Sequence, residues 1–199
     1  MPKISAARRE ARRSQILDAF RTCVAREGFH RTSMASVIAE AGLSAGAVYG
    51  HFRSKTALIH SVAEDVLGFA TEQLRELATR PDAATPEEIY RALLVSALQV
   101  YGDDTPRVAV QVWAELARDD ELRAIATHHL DRLRDVLAAL LVRCQEAGTL
   151  PPGDPITMAR AVLALIPGYA LQQVVYRDLT PEDYVAGAVA LLGRPTAGA

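Results

Sequence analysis

Cysteine is scarce in this 199-residue chain: only Cys23 and Cys144 are present. Both sit among apolar residues at helical spacing, so no disulfide framework or metal pair is readable, which fits a reducing compartment. Long hydrophobic runs are missing as well. The longest uncharged stretch, Ala161 to Tyr176, falls short of the roughly 18 residues a membrane span needs, and Pro167, Gly168, Gln172 and Gln173 interrupt it. The N-terminal segment is charged rather than apolar, unlike a signal peptide, so a cytoplasmic protein without membrane contact is expected. Strand-like alternation is absent. So are Gly-x-Ser-x-Gly, a phosphate loop ending in Gly-Lys-Ser/Thr, His-Glu-x-x-His and Cys-x-x-Cys. His128 and His129 are adjacent and face apart on a helix, which makes them a poor metal pair. The expectation is a non-enzyme with no cofactor and no metal.

Half of the residues are hydrophobic, a core-forming composition. The net charge of −2 conceals an asymmetry. Residues 1–55 carry ten basic side chains against four acids, a net of +6, while the remainder carries twelve against twenty, a net of −8. A basic head on an acidic body suggests that the head meets a polyanion, although a solvated charged helix with a basic tail has the same composition.

Helical periodicity runs through the chain. A first helix is expected over about Ala6 to Glu27, with Ile16, Phe20, Cys23 and Val24 on one face and Gly28 closing it. Thr32 or Ser33 caps a second, carrying Met34, Val37, Ile38 and Ala41. Gly42 breaks the pattern, and Ser44 caps a short third helix reaching about Gly50. A fourth begins near Lys55 and ends before Pro81. Further helices are expected from Pro86 to about Gly102, Thr105 to Ala117, Asp120 to Ala147, Ile156 to Arg177, and from Pro181, with Gly193 onward frayed. The fold class is all-α, about nine helices. Residues 1–54 form a helix-turn-helix domain and 55–199 a helical regulatory domain.

Three short helices with a glycine between the second and third describe a helix-turn-helix. Leu43 and Val48 can pack inward, leaving Ser44, Ala45, Gly46 and Tyr49 on the other face. Tyr49 and His51 can donate to phosphate oxygens, and Lys55 adds a cation at a helix N-terminus. The segment Gly28-Phe29-His30-Arg31-Thr32-Ser33-Met34, followed by Val37 to Tyr49 and His51 to Leu58, resembles the signature of the tetracycline-repressor (TetR) family over about thirty positions. Ile38 departs from the general pattern, which favours a small residue there. The resemblance implies that Thr32 and Ser33 contact the DNA backbone, that Ser44, Ala45, Gly46 and Tyr49 lie on the recognition helix, and that His51 and Lys55 hold phosphates.

The eighth helix is apolar nearly all round, so it must be buried on two sides. A second copy of the chain is the simplest partner, and a central helix enclosed within one monomer is the alternative. The resemblance implies a homodimer joined through the last two helices, for which Leu171, Val175, Val185, Ala188, Val189 and Leu192 are the candidate contacts. It also implies a small-molecule pocket among helices four to eight. Candidate lining residues are Phe69, Tyr90, Tyr101, Gln111, Trp113, His129, Tyr169 and Gln172, aromatic or polar groups near apolar stripes. Pro167 predicts a kink near Leu163 to Pro167. The function expected is a sequence-specific DNA-binding regulator, a repressor released from double-stranded operator DNA by a small-molecule effector. The alternatives are a helical small-molecule-binding enzyme with a vestigial DNA-binding module, and a ligand-independent DNA-binding protein.

Overall fold

The structure, a computed structural model, describes residues 6–101 and 105–192, without the side chains of Val66, Gln99, Val100, Tyr101, Thr105 and Leu192. Gly102 and the tail from Gly193 therefore lie outside the described residues, as do the side chains of two candidates, Tyr101 and Leu192. Among the described residues there are nine α-helices and no strand: α1 (Ala6–Glu27), α2 (Met34–Ala41), α3 (Ala45–Tyr49), α4 (Lys55–Ala78), α5 (Pro86–Tyr101), α6 (Thr105–Leu116), α7 (Asp120–Glu146), α8 (Pro155–Val175) and α9 (Pro181–Leu192). The all-α reading and its helix boundaries hold to within a residue or two.

Local chemistry sets these boundaries. Gly28 ends α1 at φ +85° and Gly42 ends α2 at φ +63°, left-handed conformations that disfavour any side chain with a Cβ. Ser33, Ser44 and Ser54 cap α2, α3 and α4, each accepting a hydrogen bond from a backbone N–H three residues on. At α5, Thr85 Oγ1 accepts from the Glu88 N–H at 3.2 Å, and the Glu88 carboxylate accepts from the Thr85 N–H at 2.8 Å. That reciprocal cap, with Pro86 just inside it, fixes the start of the helix.

Two hydrophobic cores form. The first gathers Ile16, Phe20, Val24, Val37, Val48 and Phe52 of the head with Leu58 and Val62 of α4, and it extends to Val108 of α6 and Leu122 of α7. The second joins α4, α5, α7, α8 and α9 around Leu74, Ile89, Leu94, Leu137, Leu140 and Val162. Leu67 of α4 packs against both. The head is therefore not a bead on a string. Its core continues into the body through α4 and α6, across the division expected at residue 54.

Helix α8 runs through Pro167 without interruption. Proline has no N–H to give the Leu163 carbonyl, a cost of about 3 kcal/mol in a regular helix. Close by, the Tyr184 hydroxyl of α9 donates to the Leu165 carbonyl at 3.0 Å. Gly168 makes room for it, because a Cβ at that position would lie 2.9 Å from the Tyr184 oxygen. By length and composition α8 is apolar enough to cross a bilayer. In this fold it packs instead along α6 and α7.

Candidate nucleic-acid interface and effector cavity

Helices α2 and α3 are held on α1 by packing and by Gln15, whose side-chain amide donates to the Ala41 carbonyl at 2.8 Å. Val48 is fully buried beneath α3. The opposite face of α3 is open: Ala45 and Gly46 are exposed, Tyr49 is 48% exposed, and Ser44 at the helix start is exposed as well. Ser33 is exposed at the N-terminus of α2, where its hydroxyl and that of Ser36 close a capping box. Half-buried His51 lies beside Phe52. Such a surface suits duplex DNA: small residues admit close approach, and exposed helix N-termini favour phosphate.

Two candidates are placed differently from expectation. Thr32 is only 2% exposed, and its hydroxyl donates inward to the Gly28 carbonyl at 2.9 Å. It closes the turn before α2 and has no donor left for a phosphate. Lys55 also turns inward. Its Nζ donates to the Phe29 carbonyl and stands 4.0 Å from the centre of the Phe29 ring. Burial lowers its pKa, and the Glu115 charge partly opposes that. Arg53, two residues earlier, is exposed and has no ion pair among the described residues. Sequence reasoning missed it because both cations lie in the same motif, and only the Phe29 ring decides which one is drawn inward. Other basic residues of the head are also committed internally. Arg13 bonds Asp65 and Ser61 of α4, Arg21 bonds Asp18, and Arg26 bonds Glu40.

A cavity of about 430 Å³ opens between α4, α5, α6, α7 and α8. Its walls are mostly apolar, with Leu67, Leu93, Leu133, Leu163, Ile166 and Pro167 among them, and its polar groups are Thr127, Asp131, Arg134 and Arg160. A second pocket of about 130 Å³ shares Leu67, Ala97, Trp113, Leu130, Ile166 and Pro167 with it. Of the candidate lining residues, Trp113 borders both and Tyr169 borders the smaller. Five others are corrected to places outside these walls. Phe69 and Gln172 face solvent, because they fall on the outer sides of α4 and α8. Tyr90 is sealed in the core against Tyr184. His129 is buried between His60 and His128, and burial foremost pushes its pKa down. Gln111 points the other way, toward the head: its Oε1 accepts from the Phe29 N–H at 3.1 Å.

The chain fits a family by sequence as well as by geometry. The profile described as bacterial regulatory proteins, tetR family, matches residues 16–62, and that of the BetI-type transcriptional repressor C-terminal domain matches residues 86–194. The chain belongs to the TetR family of transcriptional regulators. An HTH-type transcriptional repressor of Mycobacterium tuberculosis is 30% identical over 164 residues, covering 71% of this chain and 88% of the relative. An HTH-type regulator of Bacillus subtilis is 26% identical over 183 residues, covering 92% and 89%. In fold, the chain is similar to SmeT of Stenotrophomonas maltophilia in a complex with triclosan, at TM-score 0.71 and 22% identity over 95% of each chain. This TetR-family chain is thus a DNA-binding transcriptional regulator.

Among the described residues, the C-terminal helices of this TetR-family member leave large apolar side chains uncovered. Leu171 and Val175 on α8 are 53% and 60% exposed, and Leu191 on α9 is 88% exposed. Val185 and Ala188, expected at a dimer interface, are instead buried in the domain's own core, with Val189 packed beside them. Helix α9 rests on α5, and its open side is the one carrying Ala186, Ala190 and Leu191. The stripe is apolar as expected, but α5 covers it.

Proposed function

We propose that the protein is a homodimeric cytoplasmic repressor that reads its operator with α3 and leaves it when a small molecule enters the cavity. The observation that carries this reading is the division of labour on α6. Pro106, Ala109, Trp113 and Leu116 border the pockets. On the opposite side, Val108 is buried in the head's core, Gln111 holds the Phe29 N–H, and Glu115 meets His30 at 2.9 Å. Residues at i, i+3 and i+7 share a face, so one rigid element touches both sites. A ligand that moves α6 must move the turn between α1 and α2, and with it the placement of α3. The cavity volume lies in the range of small-molecule sites, which favours this reading over a ligand-independent DNA-binding protein.

Coupling requires that the ligand bind one head placement better than the other. A ten-fold loss of operator affinity corresponds to about 1.4 kcal/mol of differential binding, and linkage makes the operator weaken the ligand equally. The test begins with recovery of bound fragments from a random DNA pool, followed by salt-dependent mobility shifts. A near-palindromic consensus bound by a dimer is expected. Recovery of no shared sequence would sink the operator reading, and a monomer bound to a single half-site would sink the dimer.

A further inference from the structure

The polar groups of the larger cavity are distributed unevenly. Asp131 and Asp135 of α7 both spend their carboxylates on Arg134, the latter at 2.7 Å. Asp131, the one acid in the described lining, is thereby paired, sharing Arg134 with Asp135. Arg160 of α8 lines the same cavity, is exposed, and has no hydrogen bond or ion pair among the described residues. Asp154, the N-cap of α8, feels its charge only through space, as the weakest of the influences on that carboxyl. Among the described residues, Trp113 is the one aromatic side chain in the lining. The site therefore offers an unmatched cation at its rim and an apolar interior.

We infer that the effector is an amphiphilic anion, a medium-length aliphatic or arylalkyl carboxylate, with its head group on Arg160 and its tail along α8 toward Pro167. This rests on reading the cavity as the effector site. A guanidinium presents paired donors that match a carboxylate in two parallel hydrogen bonds. An α-helix rises about 1.5 Å per residue, which places Pro167 about 10 Å beyond Arg160 along the axis, the reach of a medium-length acyl chain. Leu163, Ile166 and Pro167 line that path, and at its end Trp113 and Leu67 belong to both pockets. A quaternary ammonium would meet a single aromatic face, Trp113, and would be repelled by Arg160 at the rim.

Three probes of equal chain length and different head group decide the matter: octanoate, octanol and octyltrimethylammonium. Trp113 is the only tryptophan in the chain, so its emission reports occupancy directly. Octanoate is expected to bind at least ten-fold more tightly than either control. Arg160→Gln should reduce octanoate to the affinity of octanol, and Arg160→Lys should recover part of the difference. Equal binding of octanol or the ammonium, or an octanoate preference that survives Arg160→Gln, overturns the anionic assignment and leaves the cavity reading standing. If octanoate binds through Arg160 but operator affinity does not change, the anion site stands and the effector reading falls. If none of the three perturbs Trp113 at millimolar concentration, both fall together.

Discussion

Gln111 on α6 accepts a hydrogen bond from the backbone N–H of Phe29 at 3.1 Å, across 82 positions of sequence. Lys55 holds the carbonyl of the same residue from α4. The turn between α1 and α2 is thus pinned at both its N–H and its C=O by helices that border the regulatory core. Gln111→Ala leaves the Phe29 N–H without its partner, at a cost of about 1–3 kcal/mol if water does not replace it. The expected outcome is a small loss of thermal stability together with a several-fold drop in the operator's response to a bound effector. The effector's own affinity for the free protein should change little. Titrations of operator with and without effector measure this, and an unchanged response would remove Gln111 from the coupling path.

Lys55 and Arg53 make opposite predictions. Arg53 is exposed and faces solvent beside the N-terminus of α4, so Arg53→Ala should weaken binding to every DNA sequence. The slope of log affinity against log salt should fall by about one unit for each phosphate that the variant no longer neutralises. Lys55→Ala should instead destabilise the head, because it removes both the bond to the Phe29 carbonyl and the cation beside the Phe29 ring, the latter worth about 0.5–1 kcal/mol. Its salt slope should remain that of the parent protein. A reduced slope for Lys55→Ala with an unaltered melting temperature would reverse the two assignments.

The contrast between those two residues marks where the sequence is readable. Helix boundaries are legible because they are local: serine caps, Gly28, Gly42 and Pro86 act within a turn of their own positions. The exposed face of α3 is legible for the same reason, since Val48 and Tyr49 sort by helical spacing. Whether Lys55 points outward depends on Phe29, 26 residues away. Whether Val189 faces a partner or its own core depends on how α9 rests on α5. The cavity is the least legible part. Helical spacing draws attention to aromatic and amide residues, yet the polar chemistry of the cavity lies in Asp131, Arg134 and Arg160, whose charges read in sequence as an ordinary solvated face.

The proposed dimer would use the surface that remains open. Leu171→Glu or Val175→Glu should leave the helical content and melting transition of the monomer nearly intact while shifting sedimentation toward the monomeric mass. Val189→Asp acts elsewhere. It strands a carboxylate against the packed core of α5 and α9, at several kcal/mol if it stays charged, and should unfold the domain at any concentration. A folded monomer from Val189→Asp, with unimpaired dimers from Val175→Glu, would place the dimer interface on the other side of α9.

Gly168 and Tyr184 should behave as one unit. A methyl group at position 168 would meet the Tyr184 oxygen at 2.9 Å. The ring cannot simply swing aside, because Tyr169 and Tyr90 flank it at 5.2 and 6.1 Å between centres. Gly168→Ala is therefore expected to cost about 1–3 kcal/mol, as overpacked sites do, despite the better helix propensity of alanine. In a Tyr184→Phe background the obstructing oxygen is absent. There the same substitution should be neutral or stabilising by up to about 1 kcal/mol. A double-mutant cycle in urea measures the coupling, and additive effects would show that the hydroxyl moves out of the way freely.

His129 sets an acid limit on stability. It is buried on α7, its Nε2 has no hydrogen-bond partner among the described residues, and His60 and His128 stand beside it, with Glu64 and Arg132 also within electrostatic reach. Burial first, and the two neighbouring imidazoles second, hold its folded-state pKa below the ordinary value of about 6.5. The unfolded chain therefore takes up this proton more readily than the folded one. The sign follows: stability is full above the ordinary imidazole pKa, declines as pH falls below it, and levels off once the pH passes the lower folded value. His129→Leu removes the titrating group and a buried unpaired nitrogen, which should gain about 1 kcal/mol or more near pH 5.5 and flatten the profile between about pH 7.5 and 5.5. Urea midpoints across that range provide the measurement. If they fall equally in the parent and in His129→Leu, the acid sensitivity belongs to other groups, and His129 is protonated in the folded protein without penalty.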